Sequence, residues 1–264
     1  MSRPARRPGS RRYPILEFDP SPTAVIEPRM VVDRGDVADH CVVCFFQDVL
    51  EAVLASRSVR IAAESRWEDG VWRVYEMDHE GQRLAFFHPG VGAPVAAGKL
   101  EEVIALGCTK FIAAGGCGVL ESSLAVGHVI LPDGAVRDEG TSYHYLPPGR
   151  EAAPSPAALA ALETALTKHG VPFVRGKTWT TDAPYRETSG KVARRRKQGC
   201  LTVEMEAAAF FAVAAFRGVT FGQLLYAGDD VGSEAWDHRA WDERKGIREQ
   251  LFWLAAEACL SIRS

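Results

Sequence analysis

The sequence lacks any apolar run of 18 residues, and its first residues lack the apolar stretch that a secretory signal requires. It also lacks a strong charge imbalance, since 34 acidic and 31 basic side chains leave a net charge of -3. We therefore expect a cytoplasmic protein that binds neither membranes nor nucleic acid. The exception is the start, "MSRPARRPGSRR", whose five arginines and absence of acids predict a flexible basic tail over residues 1–20.

Cysteine is sparse and dispersed, with six residues in the whole chain. Only Cys41 and Cys44 have the spacing of a redox or metal motif, and no second pair accompanies them. Their neighbours form the apolar run "HCVVCFF", which favours a buried strand with reduced thiols. The sequence therefore predicts no metal site.

What the chain does have is a large apolar fraction, 47%, in which strand-like and helix-like segments follow one another. This pattern predicts one α/β domain over residues 21–264 with a mostly parallel central sheet. Strands are predicted at 23–28, 41–46, 58–66, 71–90 (around a turn at 80–81), 110–118, 128–136, 173–181, 200–205 and 220–230. Helices are predicted at 48–56, 93–107, 155–170, 187–199, 206–218 and 241–262. In such sheets, ligands bind beyond the carboxyl ends of the strands.

The stretch "VEMEAAA" places Glu204 and Glu206 on either side of Met205, where a strand turns into a helix. One glutamate at this position can satisfy the first N–H groups of the helix. The second is harder to explain, because two nearby carboxylates repel unless a donor lies between them. Ionised carboxylates only accept hydrogen bonds, so vicinal sugar hydroxyls would suit the pair. We favour a sugar-binding role over a purely capping one.

Five further motifs could contribute to a site, and the first four lie at predicted strand ends. "AGDDVG" carries Asp229 and Asp230, of which one could act as a general acid or both could belong to an ordinary turn. "HPGVGAP" and "AAGGCG" are glycine turns that allow a ligand to approach the backbone. "TTDAPYRE" offers Tyr185 for ring stacking and Arg186 as a donor. "GTSYHYLPP" contains His144, although a lone histidine is more often structural.

In this order, the motifs resemble the nucleoside phosphorylase family of the uridine phosphorylase and hexameric purine nucleoside phosphorylase type, which also includes nucleosidases. The resemblance runs from about residue 20 to the C-terminus and is most specific in "VEMEAAA", "GVGAP", "GGCG", "TTDAPY" and "GDD". It implies a single α/β domain whose central mixed sheet is partly closed and flanked by helices. It also implies cleavage of the N-glycosidic bond of a nucleoside, without a metal or organic cofactor, in a homo-oligomer of two to six chains.

The resemblance further implies roles for individual residues. Glu204, Met205 and Glu206 would hold the ribose, and Asp229 would protonate the leaving base. Tyr185, with Arg186 and Asp182 near it, would border the base. Gly90, Gly92, Gly115 and Gly116 would lie beside the nucleophile, while His144 and Asp230 are weaker candidates. Because Asp229 is typical of purine-cleaving members and "GTSYHYLPP" of uridine-cleaving ones, the base stays open.

Two departures concern the nucleophile. Phosphorylases of this type have an arginine in the pattern R-x-G-[ST]-x-G, but here Ala113 takes its place and Gly116 replaces the Ser or Thr. Their G-D-P-x-R phosphate loop also has no clean match. Phosphate is the expected co-substrate of a phosphorylase, and guanidinium is its usual partner. Hydrolysis, with Glu27 as a candidate for activating water, and nucleoside binding without turnover are therefore the alternatives.

Overall fold

One β-sheet forms the scaffold of the molecule, in a computed structural model that describes residues 13–263. Within these residues the strands are β1 (His40–Cys44), β2 (Val59–Trp67), β3 (Gly70–His79), β4 (Gln82–Phe87), β5 (Lys110–Val119), β6 (Val129–Asp138), β7 (Glu151–Ala152), β8 (Phe173–Thr181), β9 (Cys200–Glu204) and β10 (Thr220–Asp230). Parallel and antiparallel pairs both occur, so the sheet is mixed.

Strand β5 explains why the sheet is partly closed. Its first half pairs with β1, and its end, at Gly118 and Val119, pairs with β9 on that side. Its other edge pairs with β10, and pairings from β10 through β6, β8 and β9 return to β5. The strands β1, β4, β3 and β2 extend outward from this closed part. The expected mixed, partly closed sheet is confirmed.

Helices cover both faces of the sheet. They are α1 (Gln47–Ser56), α2 (Ala93–Leu106), α3 (Pro156–Lys168), α4 (Ser189–Lys197), α5 (Ala207–Arg217) and α6 (Lys245–Ser261). Helices α2 and α5 contribute to one apolar cluster, and α1, α3 and α6 to another. Because α5 is almost entirely buried, its N-terminus is held rigidly against the sheet.

Most predicted elements are confirmed, but the strand predicted at 23–28 is wrong. Val25 and Ile26 are 95% and 73% exposed, and Pro28 begins a short 3₁₀ helix, Pro28–Met30. Proline lacks the N–H that a ladder needs, and no strand among residues 13–263 pairs with this segment. Ser155 does precede α3, but its hydroxyl accepts from the Phe221 N–H and makes no cap hydrogen bond.

The predicted basic tail at 1–20 falls largely on residues 1–12, which lie outside the described residues. The 3₁₀ turn Pro14–Leu16 packs near a second one, Thr141–His144. The predicted buried strand around Cys41 and Cys44 is confirmed, because both thiols are fully buried on β1. Within residues 13–263, no group of three or more metal-ligating side chains could hold an ion. No helix there is long and apolar enough to span a bilayer.

Candidate active site

A cavity of about 740 Å³ opens where the ends of three strands converge. Gly118 of β5 pairs with Val203 of β9, and Val119 of β5 pairs with Asp230 of β10, so these ends lie side by side. Five carboxyl groups line the cavity, those of Glu187, Glu204, Glu206, Asp229 and Glu234. Among the lining residues that the structure describes, Arg248 is the only lysine or arginine. The site is therefore strongly acidic.

Glu204 ends β9, and both oxygens of its carboxyl group accept hydrogen bonds from within the protein. One oxygen accepts from the hydroxyl groups of Thr180 and Thr178, at 2.6 and 3.4 Å. The other accepts from the N–H groups of Glu206 and Ala207, at 2.7 and 2.6 Å. Four donors fill the acceptor capacity of a carboxylate. Glu204 therefore fixes the start of α5, and the capping role considered from the sequence describes it well.

Glu206, the residue before α5, has acceptor capacity left for a ligand. One of its oxygens accepts from the Gly92 N–H at 2.5 Å, and the side chain is only 5% exposed. Burial, together with the charge of Glu204, raises the pKa of Glu206 to about 8. Burial also raises the pKa of Glu204 to about 7. A hydroxyl donor placed against Glu206 would stabilise its charged form. Met205 lies between the two and lines the cavity.

The two aspartates at the end of β10 have different surroundings. Asp230 is buried, pairs with Arg239 at 2.7 Å and accepts from the N–H of Gly232 at 2.8 Å, so it closes a turn. Asp229 is half-buried and lines the cavity, where the indole N–H of Trp236 donates to its Oδ2 at 2.7 Å. Only Asp229 is therefore placed to touch a ligand in the cavity.

The glycine turns contribute backbone. Gly90 and Gly92 have φ values of +80° and +98°, which other residues rarely adopt. This conformation lets Gly92 aim its N–H at Glu206, while Gly90 donates to His88. Gly115 and Gly116, on β5, line the cavity, and a Cβ on either would approach Phe45 or Tyr226 within 3.1 and 3.2 Å.

The segment after β8 supplies one side of the cavity. Tyr185 lines it and is 98% exposed. Arg186 and Asp182 are exposed and are not among its lining residues, and Asp182 accepts from the Gly140 N–H. Glu187 does line the cavity, and sequence reasoning missed it. Burial and the charge of Asp229 raise its pKa to about 7.

The remaining candidates lie outside the cavity in this chain. His144 is exposed at the end of its 3₁₀ turn. Glu27 pairs with Arg217 at 3.6 Å, at the C-terminal end of α5. Since α5 has 11 residues, Glu27 lies roughly 16 Å along the helix from Glu206. Both stay predictions that this single chain does not bring to the site.

The side of the cavity expected to hold the nucleophile is mostly uncharged. Ala113 is fully buried, and Phe45 and Phe46, between β1 and α1, line the cavity together with Gln223. Arg248, from α6, donates to the Tyr226 hydroxyl at 3.3 Å and to Asp48 at 3.2 Å. Its charge is therefore already balanced by a carboxylate. Gln223 and Arg248 sit inside a strand and a helix and belong to no motif, so no local pattern identifies them.

Comparisons with known proteins agree with this geometry. A family model described as "Phosphorylase superfamily" matches residues 39–255. A guanosine phosphorylase from Halorubrum lacusprofundi is 27% identical over 219 residues, covering 80% of this chain and 89% of that protein. A uridine phosphorylase from Salmonella typhimurium is 28% identical over 187 residues, covering 66% and 72%.

Solved structures share the fold. A uridine phosphorylase from Vibrio fischeri ES114 has a TM-score of 0.72 at 24% identity, over 87% of this chain and 95% of that one. An AMP nucleosidase from Bacteroides thetaiotaomicron has a TM-score of 0.68 at 23% identity, over 84% and 87%. At these identities the similarity establishes the architecture alone.

Proposed function

The chain belongs to the phosphorylase superfamily, and from this premise we propose that it cleaves the N-glycosidic bond of a nucleoside in the cavity between β5, β9 and β10. One observation carries the proposal. The cavity has a buried carboxyl with spare acceptor capacity, Glu206, and a half-buried one held by an indole, Asp229. Relatives named as guanosine and uridine phosphorylases support the same reaction.

Each carboxyl suits one half of the reaction. Breaking the glycosidic bond builds positive charge on the sugar and negative charge on the base. Glu206 accepts from ribose hydroxyls and stabilises the charge on the sugar, while Asp229 donates a proton to the leaving base. Glu204 acts through Glu206 by holding the start of α5. Tyr185 stacks on the base, and Arg186 and Asp182 join it if the loop closes over the ligand.

The group that receives the ribosyl unit has two candidates. Phosphate is the first, because relatives of 27% and 28% identity are named guanosine phosphorylase and uridine phosphorylase. In that reaction the turns at Gly90, Gly92, Gly115 and Gly116 lie beside the anion, and no other cofactor takes part. Water is the second candidate. It is favoured by Ala113, by the acidic lining, and by the engagement of Arg248 with Asp48.

The setting of the reaction follows from other features. The six cysteines are free and buried, which fits a reducing, cytoplasmic compartment. Val25, Ile26, Met30 and Val31 are exposed apolar residues, which fits burial against further copies of the chain in a homo-oligomer. A small nucleoside is the expected partner, whether purine or pyrimidine.

The test is release of free base from a panel of purine and pyrimidine nucleosides, with and without phosphate. Release from at least one nucleoside supports the proposal, and its dependence on phosphate separates the two acceptors. Tight nucleoside binding without release under either condition would sink it in favour of a binding protein. Glu234→Gln is the matched control for changes to the carboxyl groups of the site, because it removes a carboxylate at the exposed rim of the same cavity.

A further inference from the structure

Gln223, in the middle of β10, has a buried carboxamide that lines the cavity. The residue is 1% exposed, and its Oε1 has no hydrogen-bond partner among residues 13–263. A few other buried polar atoms in these residues share this lack, but Gln223 alone of their owners lines the cavity. A buried acceptor without a hydrogen-bond donor costs stability. Such an atom in a ligand cavity therefore indicates that a bound molecule supplies the donor.

The register of the sheet places this carboxamide at the nucleophile side. Gln223 pairs with Ala113 of β5, the position where phosphorylases of this type carry arginine. Phe221, two residues earlier on the same face of β10, stacks on Phe210 of α5 with ring centroids 4.9 Å apart. Phe210 lies one turn after Glu206. Gln223 therefore faces the α5 side of the sheet, on which Glu206 begins the helix.

The surroundings of Gln223 are apolar. Phe45 packs against Phe210 at 6.2 Å and would lie 3.1 Å from a Cβ at Gly115. Phe45 and Gly115 line the cavity together with Gln223, so the carboxamide shares this part of the cavity with an aromatic side chain. A molecule bound there takes its orientation from the carboxamide.

The chemistry of a carboxamide selects the ligand. It offers one acceptor and one N–H₂ donor without charge, and a rotation of the amide preserves that pair. A phosphate dianion offers only acceptors, so it cannot donate to the oxygen of the carboxamide. Water offers both a donor and an acceptor, and it is neutral. We propose that Gln223 holds the water molecule that attacks C1′ of the ribose, so that this chain transfers the ribosyl group to water.

This inference rests on the proposed function and selects water over phosphate as the group that receives the ribosyl unit. In the step, the water oxygen bonds to C1′ and the glycosidic bond breaks, with its electron pair passing to the base nitrogen. Asp229 gives the base its proton. The attacking water loses one proton to solvent, from which Asp229 is protonated again. Since positive charge builds on the sugar as the base leaves, the water needs orientation more than deprotonation, and a neutral amide can supply it.

Arg248 is the competing group, because it could hold phosphate instead. It lies beside Tyr226, on the opposite face of β10 from Gln223. Its guanidinium is placed over the Phe46 ring at 5.5 Å and is bound to Asp48. An Arg248→Gln variant therefore provides a control for phosphate binding.

The first experiment identifies the product formed by the wild-type protein from a nucleoside that it cleaves. We expect free pentose at a rate unchanged by millimolar phosphate, and the same independence of phosphate in Arg248→Gln. Formation of pentose 1-phosphate, or release that requires phosphate and is lost in Arg248→Gln, would overturn the inference while leaving the proposed function intact. Absence of release under every condition would instead remove the proposed function. This measurement needs no Gln223 variant.

The second experiment uses Gln223→Met, which keeps the side-chain length and removes the amide. We expect kcat to fall about 10- to 100-fold with KM nearly unchanged. We also expect an unchanged or higher Tm, because an unsatisfied buried acceptor is gone. Thr202→Val, a buried change on β9 outside the cavity, should leave kcat unchanged. An unaltered kcat in Gln223→Met, or a loss of kcat that only follows a fall in Tm, would contradict the role.

Discussion

The carboxylate of Glu204 accepts a hydrogen bond from the backbone N–H of Glu206 at 2.7 Å, so the first glutamate of the pair fixes the position of the second. The same oxygen accepts from Ala207 at 2.6 Å, and Thr180 holds the other oxygen. We therefore propose that Glu204 supports the site and that Glu206 contacts the sugar, although the sequence made the two residues look equivalent. The division can be tested by changing each residue separately.

Replacing Glu204 by alanine should destabilise the protein strongly. The change leaves the N–H groups of Glu206 and Ala207 and the hydroxyl of Thr180 buried without their acceptor. We expect the free energy of unfolding to fall by about 2–4 kcal/mol in chemical denaturation. Glu234→Ala, at the exposed rim, should change it by less than about 0.5 kcal/mol. Equal effects of the two variants would show that Glu204 is not a structural support.

Replacing Glu206 by glutamine should stabilise the protein, and more so at alkaline pH. The pKa of this carboxyl rises from 4.5 to about 8 on folding, because burial disfavours its charge. Above pH 4.5 the unfolded chain therefore loses a proton that the folded chain keeps, and stability falls until the pH passes about 8. The raised pKa of Glu206 therefore lowers the free energy of unfolding progressively across this pH range. Glutamine does not titrate and can still accept from Gly92.

The measurement is the Tm of Glu206→Gln and of wild type across this pH range. We expect the two values to be close at about pH 5 and the variant to be clearly higher at about pH 9. Nucleoside affinity should fall in the same variant, since a neutral amide binds ribose hydroxyls less strongly than a carboxylate. A difference in Tm that does not grow with pH would argue against a raised pKa for Glu206.

Replacing Gly92 by alanine should weaken the site through the backbone. Its φ of +98° is strained for any residue with a Cβ, so the turn must shift and the N–H that holds Glu206 moves with it. We expect KM for the nucleoside to rise together with a loss of about 1 kcal/mol in stability. Gly70→Ala is the matched control, because Gly70 also has a positive φ but lies in the β2–β3 hairpin. Gly70→Ala should lose stability and keep the wild-type KM. Equal KM values in the two variants would refute the coupling between the Gly92 turn and Glu206.

Much of this fold can be read from the sequence, because hydrophobic periodicity and glycine punctuation are local signals. They place β5, α5 and β10 nearly to the residue. The segment 23–28 misleads because its apolar residues alternate like those of a strand, whereas its exposure depends on neighbours that no local pattern encodes.

The candidate site can be predicted only in part from the sequence, for a related reason. Glu206 and Asp229 can be identified from the sequence because they lie at the ends of predicted strands. Gln223 and Glu187 can be recognised only from their surroundings in the folded protein. Gln223 has an unsatisfied amide oxygen opposite Ala113, and the charge of Asp229 helps to raise the pKa of Glu187. Pairings between distant strands create both environments, so neither has a motif of its own.

The most direct test of nucleoside cleavage in this cavity is the rate of base release by Asp229→Asn relative to wild type. Asparagine keeps the size of the side chain and its contact with Trp236, but it has no acidic proton to give to the base. With the best nucleoside of the panel, we predict a fall in kcat of about 100-fold or more with little change in Tm. Base release by Asp229→Asn at the wild-type rate would contradict the assignment of this cavity as the active site.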